Sequence, residues 1–125
     1  MELALQSATT TVSHISNMLD ERDNMSCTIC LEACLELYLG MSAILEDCVG
    51  QLLSMQYDHV QLWVSTIMQA PAICEAGFSD KGRESPVTKE NYSLSQMCGI
   101  VLCIIDMINQ DINAQSSLLR LSVGL

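Results

Sequence analysis

The chain has 125 residues, half of them hydrophobic but only five aromatic, a length that suits one domain with its own core. Its formal net charge of −10 opposes binding to nucleic acid or to anionic membrane surfaces, because both would repel it. The longest apolar run, residues 99–105, is far shorter than the ~20 residues that cross a bilayer, and residues 1–7 do not resemble a signal peptide.

Four stretches have helical periodicity, and three polar breaks separate them. Each stretch has apolar residues three or four positions apart, which predicts an amphipathic helix with one buried face. The first stripe is Leu5, Ala8, Val12, Ile15 and Leu19. The second begins near Ser26 or Cys27 and consists of Cys30, Cys34, Leu37, Met41, Ile44, Cys48 and Leu52.

The third helix is predicted to begin at Asp58, with Gln61 completing a capping box. Pro71 predicts a kink inside it, because proline cannot donate the hydrogen bond of a helix interior. The fourth helix is predicted to begin at Thr88 as its N-cap. Their stripes are Val60, Val64, Ile67, Cys74 and Phe78, and then Leu94, Cys98, Val101, Ile105, Ile108 and Ile112.

Four such helices with short connections predict an all-α fold, an up-and-down antiparallel four-helix bundle. We expect the bundle to comprise residues 1–112 and residues 113–125 to form a frayed C-terminal tail. Such a bundle offers faces for binding another protein. The sequence calls for no cofactor.

The seven cysteines indicate structure more than chemistry. Cys27 and Cys30 form a C-x-x-C pair, but a closed zinc site needs four ligands and a thioredoxin-type site needs a βαβ setting, so we expect plain helical thiols. Cys34 and Cys74 occupy the core stripes of neighbouring antiparallel helices, where a disulfide could form. We expect Cys48 and Cys98 in the core and Cys103 at the surface.

No catalytic constellation is evident. The two histidines, His14 and His59, lie in different elements without a nucleophile at readable spacing, and the acidic residues are spread along the helices. An enzyme is therefore not predicted. Asn24 and Asn91 begin the two N-x-S sequons, which mark possible N-glycosylation sites.

Four segments are notable for their order and spacing along the chain. They are Cys34-Leu35-Glu36-Leu37-Tyr38, Tyr57-Asp58 with Val64-Ser65, residues 70–78 (APAICEAGF) and residues 85–91 (SPVTKEN). These segments resemble the plant invertase/pectin methylesterase inhibitor family, most closely its members named as invertase inhibitors, and the similarity extends from about Glu2 to Ile108.

The resemblance implies a four-helix bundle with a disulfide between Cys34 and Cys74. It also implies a secreted protein of the cell wall or vacuole that blocks the substrate cleft of a plant carbohydrate enzyme. Compared with the family, the sequence as given shows no signal peptide and no N-terminal helical hairpin, and we expect that as written it could remain cytoplasmic. It also has Met55-Gln56-Tyr57 where some invertase inhibitors have Pro-Lys-Phe.

The function predicted from these features is inhibition of invertase or pectin methylesterase, with protein as the partner and no nucleic acid, membrane or metal. The connection between the second and third helices supplies the candidate target-binding residues Gln56, Tyr57 and Asp58. Two alternatives stay open: a bundle that carries an apolar ligand in a methionine-rich core, and a truncated paralogue without inhibitory activity.

Overall fold

A computed structural model describes residues 1–21 and 27–123, with side chains to Arg120. Its regular structure is helical throughout: α1 (Glu2–Glu21), α2 (Thr28–Leu53), α3 (Tyr57–Ile67), α4 (Ala70–Asp80) and α5 (Thr88–Val123). Helices α3 and α4 are the two halves of one arm. The predicted all-α bundle is thereby confirmed.

The four arms form a closed ring in which each arm packs against two neighbours. Helix α1 contacts α2 and α5, and both α3 and α4 contact the same pair from the other side. The buried residues of each helix face the ring interior, as amphipathic helices require, whereas Ile112 at the end of the predicted α5 stripe is exposed. The core therefore runs the length of the bundle between the arms.

Pro71 explains why the third arm is divided. Its ring nitrogen cannot donate to Ile67, so regular hydrogen bonding stops after the Met68 N–H bonds Val64 O at 3.0 Å and resumes where Ile73 N–H bonds Gln69 O at 3.1 Å. Met68 and Gln69 keep right-handed helical dihedrals, so the arm bends without turning back. The kink predicted at Pro71 is confirmed.

The two predicted N-caps are wrong. Gln56 is the N-cap of α3 and Asp58 lies inside its first turn, so the capping box of Asp58 and Gln61 does not form. Thr88 begins α5, but its hydroxyl donates to Glu75 instead of accepting from the amides of its own helix. At Thr88 a tertiary contact thus replaces the local cap, whereas Gln56 makes no side-chain capping bond at the start of α3.

The predicted stripes describe the core well on the third arm and less well elsewhere. Every stripe residue of α3 and α4 is buried. On α2 the face is rotated slightly, because Tyr38 is buried and Leu37 is only half-buried. On α1 the buried positions are Ala4, Ala8, Thr11 and Ile15.

Helix α5 is longer than predicted. The expected frayed tail continues α5 as far as Val123, because no glycine or proline interrupts residues 100–123. The side chains of residues 110–120 are all exposed, so this segment lies outside the core. Helices α2 and α5 are long and apolar enough to cross a membrane, a test that core helices of a bundle also pass.

The cysteines have three different environments. A disulfide joins Cys34 on α2 to Cys74 on α4 with Cα atoms 5.0 Å apart. A second disulfide joins Cys27 to Cys30, which corrects the expectation of plain thiols there. Of the remaining three, Cys103 is exposed and Cys48 and Cys98 are buried, and burial together with the neighbouring Cys48 raises the pKa of Cys98 to about 11.

The two disulfides differ greatly in the loop they close, 40 residues against three. In the chain-entropy model the first stabilises the fold by about 4 kcal/mol and the second by about 1.6 kcal/mol. We therefore expect Cys34→Ala/Cys74→Ala to lower the free energy of unfolding more than twice as much as the matched Cys27→Ala/Cys30→Ala variant. Urea titration of both measures this, and equal losses would contradict it.

Candidate functional site

The α2–α3 tip, which we define as residues 53–59, is a tight connection between two rigid helices. Only three residues separate the last residue of α2 from the first of α3. The Gln56 N–H donates to Gln51 O at 2.9 Å and the Met55 N–H donates to Leu52 O at 3.0 Å. Met55 has φ of 60°, a left-handed conformation that costs a non-glycine residue about 1 kcal/mol. The turn is thus fixed by its backbone.

The three predicted target-binding residues lie at this tip in different environments. The side chains of Gln56 and Asp58 are exposed, whereas Tyr57 is half-buried against the core. A cleft of about 540 Å³ opens between the tip and α5. Its lining consists of Met55, Gln56, Tyr57, Asp58, His59, Asn109, Ile112 and Asn113.

Helix α5 supplies a wall of this cleft that the sequence did not indicate. Asn109 is held in place because its amide nitrogen donates to Gln61 Oε1 at 3.3 Å, a bond that ties α5 to α3. Asn109 and Asn113 are four positions apart, so both amides occur on one face of α5. The sequence did offer one signal for this wall, because two asparagines lie four positions apart near the end of an apolar helix.

Two apolar residues at the tip were also missed. Leu53 is 83% exposed and Met55 is 74% exposed, although both side chains are apolar. Leu53 falls one position off the buried stripe of α2, and the left-handed turn directs the chain away from the core at Met55. The tip therefore combines exposed apolar side chains with polar ones.

A buried polar network joins three helices at the opposite half of the molecule. We call it the α2–α4–α5 junction, formed by Tyr38, Asn91 and Glu75 with the Cys34–Cys74 disulfide. Tyr38 Oη donates to Asn91 Oδ1 at 2.5 Å, and Asn91 Nδ2 donates to Glu75 Oε2 at 2.7 Å. The same amide lies 3.3 Å from Cys74 Sγ. Both ends of the Asn91 amide are satisfied, as buried polar groups require.

Charge at the junction is set by these hydrogen bonds. Partial burial raises the pKa of Glu75, but the hydrogen bonds from Ser85, Thr88 and Asn91 together outweigh it and leave the pKa below its ordinary value. Thr88 Oγ1 donates to Glu75 Oε1 at 2.5 Å. Burial also raises the pKa of Tyr38, and the nearby Glu90 and Glu75 raise it further. Glu75 is thus held ionised and Tyr38 neutral.

The junction corrects the expectation of a glycan on Asn91. Asn91 is only 2% exposed, and its side-chain nitrogen is occupied by Glu75 and Cys74. A sugar on that nitrogen would have no room and would break both bonds, so the folded chain is incompatible with it. The other sequon, at Asn24, lies outside the described residues.

The two histidines lie in different parts of the structure. His14 Nδ1 lies 3.4 Å from Glu90 Oε1 and links α1 to α5 at the surface, whereas His59 is exposed at the α2–α3 tip. Within residues 1–21 and 27–123, no three His, Cys, Asp or Glu side chains converge as a metal site would require.

Comparison with known proteins assigns the chain to a family. The family model "Plant invertase/pectin methylesterase inhibitor" matches residues 1–104, more than four-fifths of the chain. The chain belongs to this family. Two relatives, each named "Putative invertase inhibitor" and from Platanus orientalis and Platanus acerifolia, are 27% identical over 107 residues, or 85% of this chain.

The chain spans about three-fifths of the length of these relatives, with 63% and 60% of them covered. No solved structure matches. Three of the segments by which this chain resembles the inhibitor family meet at the α2–α4–α5 junction. Tyr38, Glu75 and Asn91 each come from a different one of these segments. Three of the four segments therefore contribute residues that hold the fold, and the fourth begins with Tyr57 and Asp58 of the α2–α3 tip.

Removing the Tyr38 hydroxyl tests the junction. Tyr38→Phe keeps the ring but leaves Asn91 Oδ1 buried without a donor, which costs about 1–3 kcal/mol of unfolding free energy. The matched control is Tyr92→Phe, at an exposed tyrosine on α5, which should change stability by less than about 0.5 kcal/mol. Chemical denaturation measures both, and equal effects would show that the network does not hold the fold.

The pH dependence of stability tests Glu75. Because the pKa of Glu75 is lower in the folded chain than in the unfolded chain, ionised Glu75 stabilises the fold fully above the unfolded pKa, and this contribution is lost as pH falls through the folded pKa. Allowing for solvent screening, we expect Glu75→Gln to cost on the order of 1 kcal/mol near pH 6 and less near pH 3. Glu84→Gln, at an exposed carboxylate nearby, is the control. A constant difference between wild type and Glu75→Gln across this range would contradict the assignment.

Proposed function

We propose that this chain is a proteinaceous inhibitor that binds and blocks a plant carbohydrate-active hydrolase, either invertase or pectin methylesterase, and that it is not itself an enzyme. Family membership and the names of the two relatives support this class of function. The observation that carries it in the structure is the α2–α3 tip, where exposed apolar side chains border a polar cleft. Such a surface suits a protein partner better than a small polar substrate.

The tip has the anatomy of an interface centre. Leu53 and Met55 offer apolar area that a partner would bury, while Gln56 and Asp58 offer hydrogen bonds around them. The fixed backbone of the tip limits the conformational entropy lost on binding. Tyr57 packs against the core and also lines the cleft.

Charge and redox state indicate the setting of the complex. With a net charge of −10, the chain would associate faster with an enzyme that has a basic surface around its cleft, and salt would weaken that attraction. The two disulfides suit an oxidising compartment, so we place the protein in the cell wall or vacuole. The described clefts at the tip and between α4 and α5 open to solvent, which gives no support to an apolar-ligand carrier.

Titration of the purified chain against both enzymes tests the proposal. We expect stoichiometric loss of activity with one of them, because an inhibitor that covers a substrate cleft acts one to one. The measurement is residual sucrose hydrolysis or residual demethylation of pectin at increasing inhibitor. No loss of either activity at a large molar excess would overturn the inhibitor function.

Substitutions at the tip test where binding occurs. We expect Leu53→Ala/Met55→Ala to raise the inhibition constant about tenfold or more, because it removes two exposed apolar contacts without disturbing the core. The matched control is Ile29→Ala, at a residue that is 70% exposed and about 36 Å away along α2. Gln56→Ala/Asp58→Ala should weaken inhibition less, because rim contacts contribute less. An unchanged constant for Leu53→Ala/Met55→Ala, or an equal effect of Ile29→Ala, would place the interface elsewhere.

A further inference from the structure

The Cys27–Cys30 disulfide contributes little to the fold, and its position suggests a different role. It closes a loop of only three residues at the first turn of α2, whereas Cys34–Cys74 already links α2 to α4 one turn further on. A three-residue loop restricts the unfolded chain far less than a 40-residue loop. The native fold therefore protects Cys27–Cys30 against reduction much less than it protects the other pair.

The two sulfur atoms differ in access. Cys27 is half-buried and is the N-cap residue of α2, whereas Cys30 is buried, with 5% of its surface exposed. Cys27 is therefore the more accessible of the two cysteines to an incoming thiol. In a C-x-x-C pair, this difference assigns the attacked sulfur to the first cysteine.

The helix also stabilises a thiolate at Cys27. Cys27 Sγ accepts a hydrogen bond from the Cys30 backbone N–H at 3.3 Å, at the positive end of a 26-residue helix. The first turn of α2 has no acidic residue that would offset this field. Thiolates at helix N-termini are the reactive form in C-x-x-C sites.

The buried partner is accommodated in its reduced form as well. Cys30 Sγ lies 3.5 Å from the backbone oxygen of Gly77 on α4, a distance at which a thiol donates a weak hydrogen bond. Reduction therefore leaves no unsatisfied buried donor. Both redox states fit the same backbone.

We propose that Cys27 and Cys30 form a thiol–disulfide exchange site for low-molecular-weight thiols of the glutathione class, with Cys27 as the attacked sulfur. The exchange needs no β-strand, because the helix N-terminus supplies the field that the reaction requires. It involves neither the α2–α3 tip nor an enzyme partner, so it stands apart from the inhibitor function.

The reaction balances as two exchanges. A glutathione thiolate attacks Cys27 Sγ, a glutathione–Cys27 bond forms, the Cys27–Cys30 bond breaks, and Cys30 Sγ leaves with the electron pair and takes a proton from solvent. A second glutathione thiolate then attacks the glutathione sulfur of the mixed disulfide and releases the Cys27 thiolate. Two thiols are oxidised to one disulfide while the protein disulfide gains two electrons.

A redox titration of the intact chain tests the site. The protein is equilibrated with increasing reduced glutathione, free thiols are trapped with neutral iodoacetamide, and the chain is cleaved after glutamate. Glu21 and Glu32 release residues 22–32, which contain Cys27 and Cys30 and no other cysteine. We expect this pair to be reduced at a glutathione concentration at least about tenfold below that needed for Cys34–Cys74. Reduction of both pairs together would overturn the proposal.

Two matched variants test which sulfur reacts. With oxidised glutathione, Cys30→Ser should gain one glutathione at Cys27, whereas Cys27→Ser should gain none at the buried Cys30. Equal labelling, or the reverse pattern, would overturn the assignment.

A third test uses the partly reduced wild-type chain, so its result does not depend on whether a variant folds. Cys27 should react with iodoacetamide about tenfold faster than Cys103, an exposed cysteine in the middle of α5. Equal rates would show that the helix N-terminus confers no reactivity.

Discussion

The fold depends on one junction, where the Asn91 side chain of α5 bonds Tyr38 of α2 and Glu75 of α4 beside the Cys34–Cys74 disulfide. Apolar packing alone allows helices to slide or rotate, because it has no direction. A buried amide with all its partners present admits only one register, since any shift would leave a buried donor or acceptor unpaired. The disulfide links α2 to α4, two of the three helices that the amide joins, so the covalent bond and the hydrogen bonds favour the same arrangement.

This arrangement accounts for which parts of the structure were predictable. The 3–4 spacing of apolar residues located every helix, and Pro71 marked the kink, because both signals are local properties of the chain. The phase of Cys34 and Cys74 on neighbouring helices allowed a disulfide between them, and the family resemblance implied it. The junction itself was not predictable, because Asn91 belongs to a sequon and has the character of a surface residue until Tyr38 and Glu75 are brought to it.

The candidate site was only partly predictable for a similar reason. The connection between α2 and α3 could be found from the polar break, and Gln56, Tyr57 and Asp58 lie in it. The other wall of the cleft is formed by Asn109 and Asn113. These residues are about 50 positions away in the chain and lie beside the tip only because α5 passes it. The exposure of Met55 follows from a left-handed backbone that no local sequence preference demands of methionine. The predicted caps were wrong for two reasons: α3 begins one residue earlier than Asp58, and the Thr88 hydroxyl bonds Glu75 of α4.

The kink at Met68 and Gln69 gives the third arm two halves that are anchored unequally. Helix α4 is joined to its neighbours by a covalent bond and by the charged hydrogen bonds of Glu75. Helix α3 is held by apolar packing and by the Gln61–Asn109 bond. The break separates the two, so α3 can open as a small cooperative unit of its own while α4 stays closed. In such an opening the α2–α3 tip keeps its backbone turn, because its hydrogen bonds are to Gln51 and Leu52 of α2, and the far end of the bundle keeps the helix register.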